Sequence, residues 1–376
     1  MRIDRLTAAD FRNLEGASLE PCGGVNLLYG RNGQGKTSLL EAVWVLSAGS
    51  SFRTSRISEA VRFDAAAAQL SMNCESGGRA LEVMLTLPKQ PQGRSYTVNG
   101  VSRRPGDEEA RFPVIVFRPE DLELVKAGPA ERRTLLDGLG TQLSPRYRKN
   151  LNEYGRCLTQ RNSLLRGLPG RRLDAQASGV LDVLDVALSR LGVYLVRARR
   201  RLLESLVPEA EALYAGVSGA AERLEVRYDC GFGELPEDAR EAELLCCERL
   251  GQRRQEDLSA GFTTLGAHRD DLVFLLDNRA ARAYGSQGQQ RTCALACRLA
   301  SARVLGGLCG EPPVVLLDDV FSELDPARCR YILDTVAECQ VFLTGCDLPL
   351  LERLAPAGRA LRRFLVEAGT VRQEEG

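Results

Sequence analysis

The sequence predicts an α/β protein of two lobes. One is a P-loop lobe whose mixed sheet carries an antiparallel subsheet, and the other is an inserted, mainly helical lobe. Three observations predict this. Gly30-Arg31-Asn32-Gly33-Gln34-Gly35-Lys36-Thr37 stands between an apolar run, Val25–Tyr29, and an amphipathic stretch that begins Ser38-Leu39-Leu40. A second apolar run, Val314-Val315-Leu316-Leu317, ends far down the chain in Asp318-Asp319. Between the two, from 119 to 262, helical periodicity replaces the strand-like alternation found on either side. Residues 1–118 and 263–376 therefore read as one discontinuous lobe, and 119–262 as the insertion.

A short buried strand, a glycine loop and a helix, in that order, are the setting a phosphate-binding P-loop requires. The glycines let backbone N–H groups turn inward on a phosphate, and the helix N-terminus adds the positive end of its dipole. Lys36 is expected to reach the β- and γ-phosphates of a nucleotide, and the Thr37 hydroxyl to hold Mg²⁺. Gly30, Arg31, Asn32, Gly33, Gln34, Gly35 and Ser38 complete the expected binding loop. Lysine is scarce (Lys36, Lys89, Lys126 and Lys149 only), so its presence at this position is selective.

Composition narrows the class. The 376 residues are 44% hydrophobic and 27% charged, which is ordinary for a globular protein of two or three domains. No apolar run approaches the length of a membrane span. The first six residues alternate like a strand and lack a signal-peptide core, so a cytoplasmic location without a membrane partner is expected. Twelve cysteines include no C-x-x-C pair and stand beside a single histidine, which argues against zinc and for small, buried, reduced thiols. The formal net charge is +0, which argues against indiscriminate polyanion binding but leaves room for one basic face. Arginines cluster at Arg103-Arg104, Arg132-Arg133, Arg146/Arg148/Lys149, Arg171-Arg172, Arg197/Arg199/Arg200/Arg201 and Arg253-Arg254, and the default reading of each cluster is a solvated helix face.

Element by element, strands are expected at 2–6, 25–29, 68–72, 81–87, 95–98 and 114–117, with Asn99-Gly100 as a hairpin turn. Helices are expected at 132–139, 145–165 and 181–206, the last two parted by Gly167-Leu168-Pro169-Gly170. One strand is expected near 224–228. After these come a strand at 272–276, helices at 289–305 and 328–336, and a buried strand at 340–344. The tail Gln373-Glu374-Glu375-Gly376 is expected to fray. The strand ending in Asp318-Asp319 reads as a Walker B element. Asp318 is expected to coordinate Mg²⁺ through water, and Asp319 to orient the attacking water.

After that strand stands Phe321-Ser322-Glu323-Leu324-Asp325-Pro326, and before it Tyr284-Gly285-Ser286-Gln287-Gly288-Gln289-Gln290-Arg291. In order and spacing these resemble the ABC-type ATPases: P-loop, helical insertion, a signature opening a helix, Walker B, D-loop. Within that class the chain resembles the SMC-like RecF family of DNA replication and repair proteins. The likeness covers essentially the whole chain. It rests on Phe11-Arg12-Asn13, 30–37, Phe117-Arg118-Pro119-Glu120-Asp121-Leu122, Gly266-Ala267-His268-Arg269-Asp270-Asp271-Leu272, 286–291 and 316–325. The resemblance implies an ABC-type lobe, ATP and Mg²⁺ as cofactors, Arg12 as a further nucleotide contact, and a weak, DNA-stimulated ATPase that serves as a switch. It also implies a role in the response to DNA damage, with duplex DNA, gapped DNA or single-strand/duplex junctions, RecR, RecO and RecA as partners.

The signature has its own physical logic. A helix beginning near Gln289 points N–H groups outward past Ser286 and Gly288, a second anion-binding terminus. In ABC-type folds this terminus and the P-loop of the same chain are too far apart to hold one phosphate. Two chains placed head to tail bring Ser286, Gly288 and Gln289 of one onto the γ-phosphate of the other, giving a two-fold dimer with two nucleotides between the subunits. The simpler alternative is a glycine turn with Ser286 as N-cap.

The departures from the class pattern are specific. Asp319 stands where such enzymes usually carry Glu, and Thr344-Gly345-Cys346-Asp347 stands where a switch histidine is expected. His268 reads as part of a lobe-joining or signature-supporting element. No clear Q-loop is present, with Arg118 and its neighbours nearest to that junction. Slow, regulated turnover is therefore expected. Two competing readings remain. An ABC transporter ATPase subunit usually carries a tighter Leu-Ser-Gly-Gly-Gln and the switch histidine, and a small-molecule P-loop kinase has no use for 286–290. For a DNA clamp, Arg53 and Arg56, just beyond the first helix, together with Arg103 and Arg104, are the candidate phosphate contacts.

Overall fold

The computed structural model describes residues 1–90, 93–105, 107, 112–168 and 173–374. Pro169-Gly170 of the expected breaker, the Arg171-Arg172 cluster and Glu375-Gly376 of the tail lie outside the described residues. The chain begins β1 (Arg2–Phe11), β2 (Leu14–Leu19), β3 (Val25–Tyr29), α1 (Lys36–Ala48), β4 (Ala67–Ser76), β5 (Arg79–Pro88), β6 (Ser95–Val98), β7 (Val101–Ser102) and β8 (Val114–Phe117). It continues α2 (Pro129–Leu143), α3 (Pro145–Gly167), α4 (Ala175–Ser218), β9 (Leu224–Asp229), α5 (Ala239–Gln252), α6 (Arg254–Ala260), β10 (Asp271–Leu276), β11 (Arg279–Ala280) and α7 (Ala281–Tyr284). It closes with α8 (Gln287–Cys309), β12 (Val314–Leu317), α9 (Pro326–Thr335), β13 (Val341–Gly345), α10 (Leu348–Leu354), β14 (Leu361–Glu367) and β15 (Thr370–Glu374).

These elements form two compact units, one of Met1–Glu123, Gly216–Gly219 and Ala294–Gly376, the other of Leu124–Ala215 and Ala220–Cys293. Residues 263–293, expected in the P-loop lobe, fall in the second unit. The reason is pairing: β10 joins β9 antiparallel, with Leu272 opposite Tyr228 and Phe274 opposite Val226.

The first unit holds two six-stranded sheets, ordered β2-β1-β4-β5-β6-β7 and β15-β14-β3-β13-β12-β8. The first sheet is antiparallel throughout, and β4 alternates buried and less buried residues as a sheet with one solvated face should. Asn99 and Gly100 both take positive φ, 49° and 74°, as the tight turn between β6 and β7 demands. In the second sheet β14, β3, β13, β12 and β8 are parallel neighbours. The strands β12, β13 and β8 are buried along their whole length, which is why they read as unbroken apolar runs.

α1 packs into the core shared by both sheets, where Leu39, Leu40, Val43 and Leu46 meet Leu6, Phe11, Leu70, Leu85, Leu316 and Phe342. It is buried nearly all round rather than amphipathic as expected, because a layer covers each side. α8 is long and apolar enough to cross a membrane by length and composition alone. Here it is a core helix, with Ala294, Leu295, Ala296, Leu299 and Ala300 fully buried. Cys74, Cys246, Cys293, Cys297, Cys329 and Cys339 are buried free thiols, and burial pushes Cys297 up to about 12.

The second unit combines helices with a three-stranded sheet, β11-β10-β9. Several of its arginines are interior, not members of a solvated face. Arg161, fully buried, donates to Asp185 at 2.7 Å, Asp257 at 2.6 Å and Thr263 at 3.0 Å. Arg199 donates to Asp137 at 2.9 Å, to Asp270 at 2.6 Å and to the Ala267 carbonyl at 2.7 Å. Arg132 forks onto Asp271 at 2.6 and 3.0 Å. The lone histidine belongs to the same interior. His268 Nδ1 lies 2.8 Å from the Tyr154 hydroxyl and Nε2 3.0 Å from the Thr263 carbonyl. Burial lowers its pKa to about 4, so it is neutral at physiological pH and ties the 263–268 loop to α3.

Candidate nucleotide site

The first unit builds a cleft of about 750 Å³ around the expected P-loop, lined by Arg12, Lys36, Thr37, Asp318 and Asp319 among others. Three glycines shape the loop. Gly30, Gly33 and Gly35 take φ of 145°, 78° and 121°, and a Cβ on Gly30 would sit 2.2 Å from the Val366 carbonyl of β14. The loop is braced from both sides. Asn13 donates to the Gly33 carbonyl at 2.8 Å and accepts from the Ser38 hydroxyl at 2.8 Å. Gln34 accepts from the backbone N–H groups of Ala368 at 2.6 Å and Gly369 at 3.0 Å. Of the expected loop residues, Asn32, Gly33, Gly35, Lys36, Thr37 and Ser38 line the cleft. Gly30, Arg31 and Gln34 hold the loop's shape instead.

The ammonium of Lys36 donates to the Gly30 carbonyl at 2.6 Å and the Arg31 carbonyl at 2.9 Å. Beside it, Cys346 donates to the Asn32 side chain at 2.9 Å. The two acids arrive from β12, two strands away from β3. The Thr37 hydroxyl donates to Asp318 Oδ1 at 2.8 Å, and Thr344 donates to the same oxygen at 2.9 Å. Thr344 in turn accepts from the Asp319 N–H at 2.8 Å, fixing both acids from the end of β13. Burial raises the Asp318 pKa, opposed by these two hydroxyl bonds. Burial also raises that of Asp319, opposed by Lys36 and reinforced by Glu323. Asp319 is held at φ 52°, a left-handed conformation that costs a non-glycine residue on the order of 1–3 kcal/mol and clusters at functional sites.

Thr37 and Asp318 fit a magnesium ion. They offer two adjacent hard oxygens at the cleft wall, and a cation would relieve the desolvated carboxylate. Two protein oxygens are the usual share for Mg²⁺, which keeps its remaining positions for water and phosphate.

Arg12 pairs with Glu41, fully buried on α1, at 2.6 and 2.9 Å. Arg53 reaches the same carboxylate at 3.3 Å and lines the nucleotide cleft, which sets it apart from its proposed DNA-contact group. Arg56 and Arg104 are exposed, while Arg103 lines a different cleft with Arg79 and Glu311. The four do not share one surface cleft. Arg118, nearest to the expected Q-loop, turns to the Phe52 carbonyl at 3.1 Å and to Asp121 and stays off the cleft wall. Sequence reasoning assigned no role to Asn13, Thr344 or Cys346. The polar end of the apolar strand β13 was the available signal for Thr344.

The signature lies in the second unit. Ser286 N–H donates to Gln289 Oε1 at 2.6 Å, and Gln289 N–H donates to Ser286 Oγ at 3.2 Å, a reciprocal capping box at the start of α8. Gln290, buried, spans the turn before it by donating to the carbonyls of Ala281 at 2.9 Å and Gly285 at 3.0 Å. Ser286 is thus an N-cap, as the simpler reading had it. Its hydroxyl keeps a proton to donate outward while accepting from Gln289.

A P-loop sheet with a parallel centre and an antiparallel edge, an antiparallel sheet packed on the same helix, and a signature at the capped start of α8 define the class: an ABC-type P-loop ATPase. A solved SMC head bound to the C-winged helix domain of ScpA shares this fold, with a TM-score of 0.54 at 15% identity over 100% of this chain and 97% of that one. The model of the RecF/RecN/SMC N terminal domain matches residues 2–357. Similar proteins include DNA replication and repair protein RecF of Heliobacterium modesticaldum, 38% identical over 95% of this chain and 96% of that protein. Its counterpart from Anaeromyxobacter sp. is 38% identical over 99% of both. The structure of the recombination mediator protein RecF-ATP in the RecFOR pathway superposes with a TM-score of 0.87 at 31% identity, covering 100% of this chain and 98% of that one. The chain belongs to the RecF family of DNA replication and repair proteins. A full-length match of this kind leaves the transporter reading without support.

Proposed function

We propose that this protein is an ATP-gated DNA clamp of recombinational repair, working in the cytoplasm. Support comes foremost from the convergence of Lys36, Thr37 and Asp318 on one cleft wall, where Thr37 and Asp318 share a hydrogen bond of 2.8 Å. A similar protein solved with ATP adds to it. ATP sits on the P-loop with its β- and γ-phosphates at Lys36, and Arg12 serves as a further contact. Thr37 and, through water, Asp318 would hold Mg²⁺, which would supply neutralisation of phosphate charge. Ser286, Gly288 and Gln289 of a second copy cover the γ-phosphate, so ATP closes a homodimer.

The closed dimer grips duplex DNA, including gaps and single-strand/duplex junctions, by its phosphates. Arg56, Arg103 and Arg104 are the nominated contacts, and Arg53, which lines the nucleotide cleft, is left out of the group. Asp319 orients the attacking water. Slow, DNA-stimulated hydrolysis opens the dimer, and partnership with RecO and RecR helps load RecA at gaps. The test is DNA binding measured with ATP and Mg²⁺ across a salt series. Charge reversal at Arg56 and Arg104 is expected to weaken binding and flatten the salt slope, and an unchanged slope removes them as contacts.

A further inference from the structure

At the rim of the nucleotide cleft stands an aromatic ring that the fold leaves largely exposed, with one lysine over it. Phe63 is 85% exposed, the most exposed large hydrophobic residue among those described. It is also the one aromatic side chain among the residues lining the cleft that holds Lys36 and Thr37. The turn that carries it is fixed. Val61 bridges Phe11 at the end of β1, and Arg62 N–H donates to the Asp10 carbonyl at 2.8 Å. Lys89 is fixed beside it by a backbone bond of 2.8 Å to Ala66. The Lys89 ammonium donates to the Phe63 carbonyl and lies 4.9 Å from the centre of the ring. A rigid turn that presents an exposed ring to a cleft, with a lysine anchored alongside, is poorly explained by packing, since the ring remains 85% exposed.

A nucleoside triphosphate supplies what is missing. Its phosphates are accounted for by Lys36, Thr37 and Asp318, and its base needs a flat apolar surface beside them. Val61 and Phe63 give the cleft its apolar end. We propose that Phe63 is the stacking platform for the nucleotide base, with Lys89 donating to an acceptor on the base edge. An aromatic face binds any base by its π-surface, and an ammonium donor favours a base with ring-nitrogen or carbonyl acceptors in reach. A cleft of about 750 Å³ suits a ligand of nucleotide size. The proposal rests on the nucleotide reading of the P-loop and adds to it the residues that tell a nucleotide from bare polyphosphate.

The test is calorimetric titration of the full chain with MgATP and with magnesium tripolyphosphate, which carries the phosphates and no base. Phe63→Ala is expected to weaken ATP binding by about 5- to 150-fold, in line with a base–aromatic stack, and to leave tripolyphosphate within about twofold of the unaltered protein. The retained tripolyphosphate affinity also reports that the P-loop is intact. Phe63→Trp is expected to keep ATP affinity and to change its fluorescence with ATP but not with tripolyphosphate. An ATP affinity unmoved by Phe63→Ala, equal losses with both probes, or a silent fluorophore in Phe63→Trp would overturn the platform while leaving the P-loop reading in place. An unaltered protein that bound neither probe would overturn both.

Discussion

The Thr37 hydroxyl donates to Asp318 Oδ1 at 2.8 Å, joining residues 281 positions apart on a single carboxylate oxygen. That bond unites the helix that opens the P-loop with the strand that delivers the acids, and Thr344 completes it from the strand between them.

Asp318→Asn keeps the shape and removes the charge. Magnesium-dependent ATP binding and hydrolysis are both expected to fall by at least about 100-fold, read by titration and phosphate release with and without the metal. The raised pKa of Asp318 gives a second signature. A folded carboxyl that holds its proton more tightly than the unfolded one loses stability as pH rises. The substitution is therefore expected to raise the thermal midpoint at about pH 8, with the gain fading below about pH 4, where both states are protonated. A midpoint lowered at high pH would show that the carboxylate stabilises the fold.

His268 gives the opposite slope. Its pKa is about 4 when folded against 6.5 unperturbed, so the unfolded chain binds the extra proton across that window. Stability is expected to be fully present above about pH 6.5 and to be lost as pH falls, by up to about 1.4 kcal/mol per unit relative to His268→Gln. Denaturant unfolding at several pH values checks this. Parallel profiles for the two proteins would show that the imidazole is not held neutral.

The P-loop lobe was legible because its chemistry is local. A glycine loop between a strand and a helix, and an apolar strand ending in acids, are patterns within a few residues, and the structure brings Lys36, Thr37 and Asp318 to one wall. The central strands were legible for a related reason, since β12 and β13 are buried on both faces and carry little but Val, Leu and Phe. Edge strands were not. No strand is expected at β15, whose last residues Gln373-Glu374 read as part of a frayed tail, because Thr370-Val371-Arg372-Gln373-Glu374 is largely polar, as an edge strand can be. Nor could arginine clusters show which members turn inward. Arg199 sits among three other arginines in sequence, and only the fold reveals Asp137 and Asp270 waiting for it. The unit boundary was misplaced at 263 because the partner of β10 is β9, a pairing no local pattern announces.

Arg161 is a case where composition misleads about stability. With both partner carboxylates fully buried, Arg161→Leu leaves Asp257 without its counter-charge and Asp185 with Arg254 in place of two arginines. It is expected to cost about 3–5 kcal/mol in the unfolding of the second unit, followed by denaturant titration. A change below about 1 kcal/mol would mean that Arg254, which also reaches Asp185 at 2.7 Å, takes over the role.

The proposed clamp depends on ATP acting as the joint between two copies of the chain. Light scattering behind gel filtration, with and without MgATP, tests it for the unaltered protein, Lys36→Met and Ser286→Arg, alongside nucleotide titration of each. The expected result is an ATP-dependent dimer for the unaltered protein alone. Lys36→Met should bind no ATP, and Ser286→Arg should bind ATP as a monomer. A Ser286→Arg variant that dimerised normally with ATP would contradict the shared nucleotide site.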